Sequence, residues 1–244
     1  MLKKGFSVTV LLALTLAGCS SAPISSQQMS DGYSEAMAQV QEGEYDAAIK
    51  SFETLKENVD NPVQRGRAEM GHLYVLYKKH NYDDVIAYAG RIIEQYPEHP
   101  DLVYAVFLRA MSYQQKGEQK LSQVLEQMAP NGVYPIELRK AYSEFSIIIK
   151  RFPDSGYARE AHTSLAFIRK QLARYELHAA QYFMVQGDYK EVLRRARYIN
   201  EYYAHPEVRK QALGLMEKAY AAMENTSKAK QVARELEDLS ATTP

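Results

Sequence analysis

The sequence predicts an all-α protein built from tandem helical hairpins. Three observations carry that prediction. From Tyr33 onward the prolines and glycines fall between long stretches of helix-period apolar spacing, and alternating β-branched runs are rare. At 46% hydrophobic and 25% charged, with only 12 glycines and 9 prolines in 244 residues, the chain is neither disordered nor collagen-like. The third observation is a recurrence. Gly43-x-Tyr45-x-x-Ala48-Ile49-x-x-Phe52-x-x-Leu55 is a tight turn followed by an apolar face, and it returns at Tyr82-x-x-Val85-Ile86-x-x-Ala89-x-x-Ile92. Further copies are Ala141-x-x-x-Phe145-x-x-Ile148, Gly187-Asp188-Tyr189-x-x-Val192-x-x-x-Ala196-x-x-Ile199 and Ala229-x-x-x-Ala233-x-x-Leu236. Spacings of three, four and seven put each set on one helix face, the pattern of the second helix of a tetratricopeptide repeat. The fold class is therefore an all-α, tetratricopeptide-repeat-like solenoid of about five helix pairs, right-handed and with a concave groove, because a lone pair leaves one face uncovered until neighbours stack on it.

The first element is a processing signal. Lys3 and Lys4 precede the uncharged apolar run Phe6 to Ala17, and Leu16-Ala17-Gly18-Cys19 follows at once. A run of about 12 residues is too short to span roughly 30 Å of hydrocarbon stably. Small residues at Ala17 and Gly18 suit a signal peptidase, and the thiol of Cys19 is the group there that takes a thioether-linked diacylglycerol. Residues 1–18 are thus expected to be removed, leaving Cys19 as a lipidated first residue. Cys19 is also the one cysteine of the chain, so neither an intrachain disulfide nor a thiolate-rich zinc site is possible. Two or three acyl chains exceed the marginal binding of one and hold the protein on a membrane leaflet. Ser20, where aspartate would favour retention in the inner membrane, points to the outer membrane. Residues 19–32 read as a lipidated flexible tether of at most about 40 Å.

The solenoid is expected over residues 33–240. Its first helices are predicted at Tyr33 to Gln41, Arg65 to Lys79, Leu102 to Gln115, Tyr157 to Val185 and Val208 to Met223. Gly71, Ala110, Ala180 and Ala219 are the small residues that let neighbouring helices approach. Residues 33–115 form the N-terminal repeats and 137–240 the C-terminal ones. Between them, residues 116–136, with Pro130-Asn131-Gly132 and Pro135, read as an insertion into the third pair. The fourth pair opens with a stretch of about 29 residues free of glycine and proline, about 43 Å if wholly helical.

No catalytic constellation is visible. The six histidines, His72, His80, His99, His162, His178 and His205, lack metal-ligand spacing, and His99 and His205, each before proline at a repeat junction, suit hydrogen bonds to backbone carbonyls. Neither a nucleophile elbow nor a phosphate-cradling glycine loop is present, so no enzyme and no cofactor or metal is expected. With 30 basic and 30 acidic residues the formal charge is zero, and removal of Lys3 and Lys4 takes it to −2, which argues against nucleic acid as a partner.

What remains is recognition by surface. Tyr74, Tyr77 and Tyr104, with Tyr113, lie on first helices, which line the concave face of such a solenoid and offer rigid contact area to an extended peptide; each is equally able to be inter-repeat core. Arg194, Arg195 and Arg197, with Lys190, form a basic run on the second helix of the fourth pair, either a solvated face or a docking patch for carboxylates.

The chain resembles the BamD family of outer-membrane-protein assembly lipoproteins, the tetratricopeptide-repeat, ComL-type family. The residues that carry this are the lipobox, Tyr96-Pro97-x-His99-Pro100-x-x-x-Tyr104-x-x-x-x-Arg109, and Phe152-Pro153-Asp154-Ser155-x-Tyr157. Leu165-x-Phe167-Ile168-x-x-x-Leu172-Ala173-Arg174-Tyr175-Glu176, Ala180-x-Tyr182 and Leu215-Met216-Glu217-x-Ala219-Tyr220 add to it. The resemblance implies a lipid-anchored periplasmic scaffold of the outer-membrane β-barrel assembly machinery, on the periplasmic leaflet of the outer membrane. Its implied partners are the periplasmic domain of the β-barrel assembly subunit, other assembly lipoproteins, outer-membrane lipid through acylated Cys19, and unfolded outer-membrane protein clients. The C-terminal repeats would dock the assembly subunit, with Arg195 at the matching position, and the N-terminal repeats would take clients. Two stretches depart from the family pattern: Val59-Asp60-Asn61-Pro62 replaces a Tyr-Pro-Phe-Gly loop, and Pro130-Asn131-Gly132-Val133-Tyr134-Pro135 replaces an Asp/Arg-rich segment. Groove chemistry alone also admits a periplasmic adaptor for peptidoglycan or cell-division enzymes.

Overall fold

The computed structural model describes residues 23–126, 135–203 and 205–241. Along them run α1 (Ser26–Glu42), α2 (Tyr45–Asn58), α3 (Pro62–Lys78), α4 (Tyr82–Gln95) and α5 (Leu102–Glu126), followed by α6 (Ile136–Arg151), α7 (Ala158–Gln186), α8 (Tyr189–Tyr202), α9 (Pro206–Ala222) and α10 (Thr226–Ala241). The described residues contain no strand, and the helices form five successive pairs. The signal and Cys19 lie outside the described residues, as do Pro130, Asn131 and Gly132.

Four of the five pairs reverse direction in the same way. Just after the first helix stands one residue with left-handed backbone: Gly43 at φ 82°, His80 at 57°, Gly187 at 76° and Glu224 at 57°. The next amide then donates back to the carbonyl five residues earlier, Glu44 to Gln39 at 2.8 Å, Asn81 to Leu76 at 3.1 Å, Asp188 to Phe183 at 3.0 Å and Asn225 to Tyr220 at 2.9 Å. This is the Schellman reversal, which satisfies carbonyls that the helix end would otherwise leave without partners. Between pairs the chain uses a different device. The Asn61 side chain accepts from the amides of Val63 and Gln64, and Pro62 occupies the first turn of α3, where its missing N–H costs nothing. Pro206 opens α9 in the same way.

Each second helix packs on the first helix of the following pair, and each odd-numbered helix also touches the next odd one, whereas no two even-numbered helices meet among the described residues. The odd helices therefore form one layer and the even helices the other. The recurrent apolar positions are the core between them: Ala48, Phe52, Val85, Ala89, Ala141, Phe145, Ile148, Val192, Ala196 and Ile199 are all completely buried. In α10 the corresponding Ala229, Ala233 and Leu236 are only half-buried, since among the described residues α10 packs on α9 and on no further helix. Arg109 of α5 donates to Glu144 of α6 at 2.9 Å with both side chains largely buried, an electrostatic tie inside the third pair.

The helix boundaries differ from the sequence expectation in two places. Residues 26–32 are helical rather than tether: Ser25 caps α1 in a capping box with Gln28, and Met29 is buried against the first pair. The third first helix does not stop at Gln115 but continues to Glu126, because Leu121 and Val124 lie on its buried face at 4% and 6% exposure and an ion pair joins Lys120 to Glu137 of α6. Part of the expected insertion at 116–136 is thus the end of α5 and the start of α6. The long helix of the fourth pair is a continuous 29-residue α7.

Gly71 sets the approach of α3 to α2. A Cβ there would stand 2.3 Å from Cε1 of Phe52, a ring with no exposed surface and nowhere to move. Gly71→Ala is expected to lower stability by about 1–3 kcal/mol through overpacking, although alanine is the better helix former. Gly214→Ala in α9 has nothing within 4 Å of the added carbon and should raise stability by about 0.5–1 kcal/mol. Urea unfolding midpoints of the two variants should therefore move in opposite directions.

Candidate functional site

The concave layer opens into a groove of about 700 Å³ over the first three pairs. Its walls come from α1, α3 and α5 and from Asp101 and Tyr157 at the junctions, so the odd-helix layer supplies nearly the whole surface. Tyr74 and Tyr104, expected there from the sequence, do line it. Tyr77 does not; its ring packs 5.9 Å from Tyr82 within the α3/α4 pair. Tyr113 lies further along α5, half-buried, with the Lys140 ammonium over its ring.

Two further tyrosines complete the wall, Tyr33 from α1 and Tyr157 from the turn before α7. Tyr157 stacks on Tyr104 at 5.7 Å and on Phe107 at 4.8 Å. Tyr33 stands edge-on to Phe52 at 5.2 Å, which joins the groove wall to the core of the first pair. Burial pushes the Tyr33, Tyr104 and Tyr157 phenols above their ordinary range, so they stay neutral and can donate hydrogen bonds. Met29, Met37 and Met70 fill the spaces between the rings with flexible thioethers. The charged groups of the lining are Arg67 and Asp101, which pair across the rim at 3.6 Å. Of the α1 lining, Ser26, Met29 and Ser30 fall in the expected tether, where the capping pattern Ser25-x-x-Gln28 is the available signal, whereas Tyr33, Ser34 and Met37 fall in the first helix expected at Tyr33 to Gln41.

The three arginines of α8 differ in their surroundings. At about 100° per residue, positions 194 and 197 lie roughly 60° apart on one face, whereas position 195 is about 100° from the first and 160° from the second, so Arg195 is turned away from the other two. Arg194 is 62% exposed and grips Glu191, one turn back, through two bonds of 2.8 and 2.5 Å. Arg197 donates to the hydroxyl of the buried Tyr220 in α9 at 2.6 Å. Arg195 turns inward: its side chain is 11% exposed, donates to Glu176 of α7 at 2.8 Å and to Glu191 at 2.9 Å, and lies 5.3 Å from the Phe183 ring. Hydrogen bonds from Arg194 hold the Glu191 carboxyl below the usual carboxylate range, with burial opposing them. Arg194 and Arg197 are therefore the exposed members, and Arg195 fixes α8 on α7.

His99 and His72 hold structure. His99 is buried and its Nε2 lies 2.9 Å from the Val63 carbonyl, joining the second pair to the third as its place before proline suggested. His205 begins α9 without a side-chain cap bond. His72 sits beside Tyr88 and Glu53 between α2, α3 and α4, with its pKa lowered by burial, and Tyr88 donates a short hydrogen bond to the buried Glu69. Among the described residues no cluster of three potential metal ligands occurs and no helix is long and apolar enough to cross a membrane.

Comparison with known proteins gives a consistent family. The profile of YfiO, described as an outer membrane lipoprotein, matches residues 25–236. The outer membrane protein assembly factor BamD of Neisseria gonorrhoeae is 26% identical over 242 residues, covering 96% of this chain and 90% of that protein. The BamD protein of Pasteurella multocida is 24% identical, with 90% and 85% covered. A solved tetratricopeptide repeat protein from Parabacteroides merdae aligns over 87% of this chain and 93% of its own at 12% identity and a TM-score of 0.32. The repeat assignment here rests on the helix pairing itself.

The Arg195 environment yields a stability prediction. Arg195→Ala strands Glu176, whose side chain is 6% exposed, and should cost about 3–5 kcal/mol. Adding Glu176→Gln should return part of that loss, while Arg194→Ala alone should cost under about 1 kcal/mol. The contribution of Glu191 follows its depressed pKa: it is complete above the unfolded carboxylate value of about 4.3 and is lost as pH falls through the lower folded value. Thermal and urea unfolding of the single and double variants, and of the unsubstituted chain as pH is lowered, checks all four statements.

Proposed function

Because the chain belongs to the YfiO family of outer membrane lipoproteins, we propose that it is a scaffold in the assembly of outer-membrane β-barrel proteins. The relatives it matches are named outer membrane protein assembly factors, and a stacked helical scaffold is suited to holding several partners at once. The observation that carries the reading is the groove on the odd-helix layer.

An unfolded barrel client presents extended backbone with unpaired N–H and C=O groups and alternating apolar side chains. Neutral phenols at Tyr33, Tyr104 and Tyr157 donate to such carbonyls without imposing a charge requirement. Three methionines adapt to side chains of different shape. The groove can therefore hold many client sequences through features that all of them share. Tyr74 and Tyr104 would act as the aromatic anchors, with Tyr33 and Tyr157 beside them.

The C-terminal pairs would dock the periplasmic domain of the assembly subunit. Arg194 supplies an exposed guanidinium on α8, Arg195 holds that helix in register from behind, and Arg197, also exposed, ties it to α9. Other assembly lipoproteins would attach elsewhere on the same scaffold. Acylation of Cys19 would hold the protein on the periplasmic leaflet of the outer membrane, with the short segment before α1 as the link. In this reading the protein works by positioning its partners rather than by catalysis.

A photo-crosslinking residue in place of Tyr74 is expected to capture unfolded barrel clients in envelopes, and the same residue at Lys218, on α9 away from the groove lining, is not. Tyr74→Ala should weaken binding of a client peptide about tenfold, the scale of one aromatic anchor. Pull-down of the tagged protein should recover the large β-barrel subunit in near-equal amount, and Arg194→Gln should reduce that recovery while lowering the unfolding midpoint far less than Arg195→Ala does. Recovery of cell-wall enzymes in place of the barrel subunit would overturn the proposal.

A further inference from the structure

A second cavity, of about 350 Å³, lies between α6, α7 and α8, away from every residue of the groove. Two guanidiniums reach it, Arg139 from α6 and Arg169 from α7, and the phenols of Tyr142, Tyr198, Tyr202 and Tyr203 make up most of the remaining wall. Arg169 donates to the Tyr142 hydroxyl at 2.7 Å and lies over the same ring at 5.5 Å. Arg139 donates to the Tyr198 hydroxyl at 3.2 Å. The Tyr198 ring stacks on Tyr202 at 4.7 Å and meets Tyr203 nearly edge-on at 5.8 Å, while Tyr202 is 57% exposed at the mouth.

Among the described residues no aspartate or glutamate lines this cavity. The carboxylates nearby are Glu201, beside the Tyr202 hydroxyl, and Glu176, close enough to Tyr203 to act on its phenol. Both stand outside the wall. Two cations against an aromatic, low-dielectric surface focus a positive potential into the concavity. A phenol that accepts from a guanidinium still has its own O–H to donate, so Tyr142 and Arg169 together offer donors of both kinds. The Tyr203 phenol is pushed up by burial and by its neighbours Tyr198 and Glu176, so it also remains a donor. The planar guanidinium fork matches a carboxylate, and the exposed ring pair Tyr198 and Tyr202 offers a stacking surface for another aromatic ring. The volume is at the small end for ligand sites and suits a short segment of chain.

We propose that this cavity is a binding site for an acidic peptide segment, whose carboxylate side chain engages Arg139 and Arg169 and whose neighbouring aromatic residue stacks on Tyr198 and Tyr202. The site uses no groove residue and does not depend on what the groove holds. It differs from the Arg194 face as well, since both its arginines lie on other helices.

The test is fluorescence anisotropy on the full chain in detergent. The probe is a fluorescein-labelled hexapeptide of alternating glutamate and phenylalanine, blocked at both ends, compared with its glutamine counterpart. The glutamate peptide is expected to bind and the glutamine peptide to bind at least about tenfold more weakly, the loss expected of one charge-assisted pair. Arg169→Gln, at an exposed position, and Tyr202→Ala should each weaken the glutamate peptide about tenfold with the unfolding midpoint unchanged. Tyr74→Ala should leave this affinity as it was. Equal binding of the two peptides, loss of binding in Tyr74→Ala, or complete displacement by inorganic phosphate at concentrations that leave the salt contribution constant would each overturn the assignment.

Discussion

The left-handed residue at the end of four of the first helices is the constraint on which the architecture rests. It turns the chain within a single peptide unit and lets the following amide close a bond to the carbonyl five residues back, so the second helix leaves at a set angle. Because Gly43, His80, Gly187 and Glu224 repeat this geometry, four pairs have the same internal reversal and present the same two faces. Identical units with one apolar face in excess can bury it only by stacking, and stacking in one sense gathers the odd helices into a layer. The groove is the outcome of that layering, with its lining drawn from α1, α3 and α5. At His80 and Glu224 the fold accepts a conformation that a side chain disfavours, and at His80 the Nδ1 contact with the Tyr82 hydroxyl at 2.8 Å offsets part of that cost.

Apolar stacking does not by itself select one register, and the polar contacts between layers do so. Arg109 and Glu144 tie α5 to α6, His99 reaches back to the Val63 carbonyl, and Arg195 meets Glu176 and Glu191 where α8 lies on α7. Each is a directional bond in a poorly hydrated place, so a slipped register leaves a buried polar group without its partner. These pairs restrict the alternatives more than they add net stability. The long α7 extends this logic, because it touches α5, α6, α8 and α9 and so couples three successive pairs through one rigid rod.

The two concave sites use tyrosine in opposite electrical settings. In the groove, tyrosines stand among methionines, with one rim ion pair, and give a nearly neutral surface for extended chain. Between α6, α7 and α8 the same side chain lines a cavity reached by two guanidiniums, with no carboxylate in its wall among the described residues. A chain without tryptophan but with 19 tyrosines can thus obtain both kinds of surface from one residue type, according to which charged groups the helices bring beside it.

Much of the fold was legible along the chain, since helix periodicity, Asn61-Pro62, the glycines at 43 and 187 and the recurrent core positions all act within a few residues of one another. The all-α class, the number of pairs and the full length of α7 followed from such local signals. The placement of His99 on a carbonyl followed from its position before proline at a repeat junction, and that of Tyr74 and Tyr104 in the groove from knowing which helix of a pair faces inward. The start of α1 at Ser26 and the continuation of α5 past Gln115 were local as well, but their cues, a capping box and the buried Leu121 and Val124, acquire force only when a partner helix lies alongside. Other features had no local sign. Whether an arginine on α8 meets solvent or a carboxylate depends on Glu176, 19 residues earlier, and Tyr33 and Tyr157 share a groove although 124 positions separate them. Burial and charge pairing are properties of surfaces that meet in space, and for those the packing of one helix pair on the next is the deciding cause.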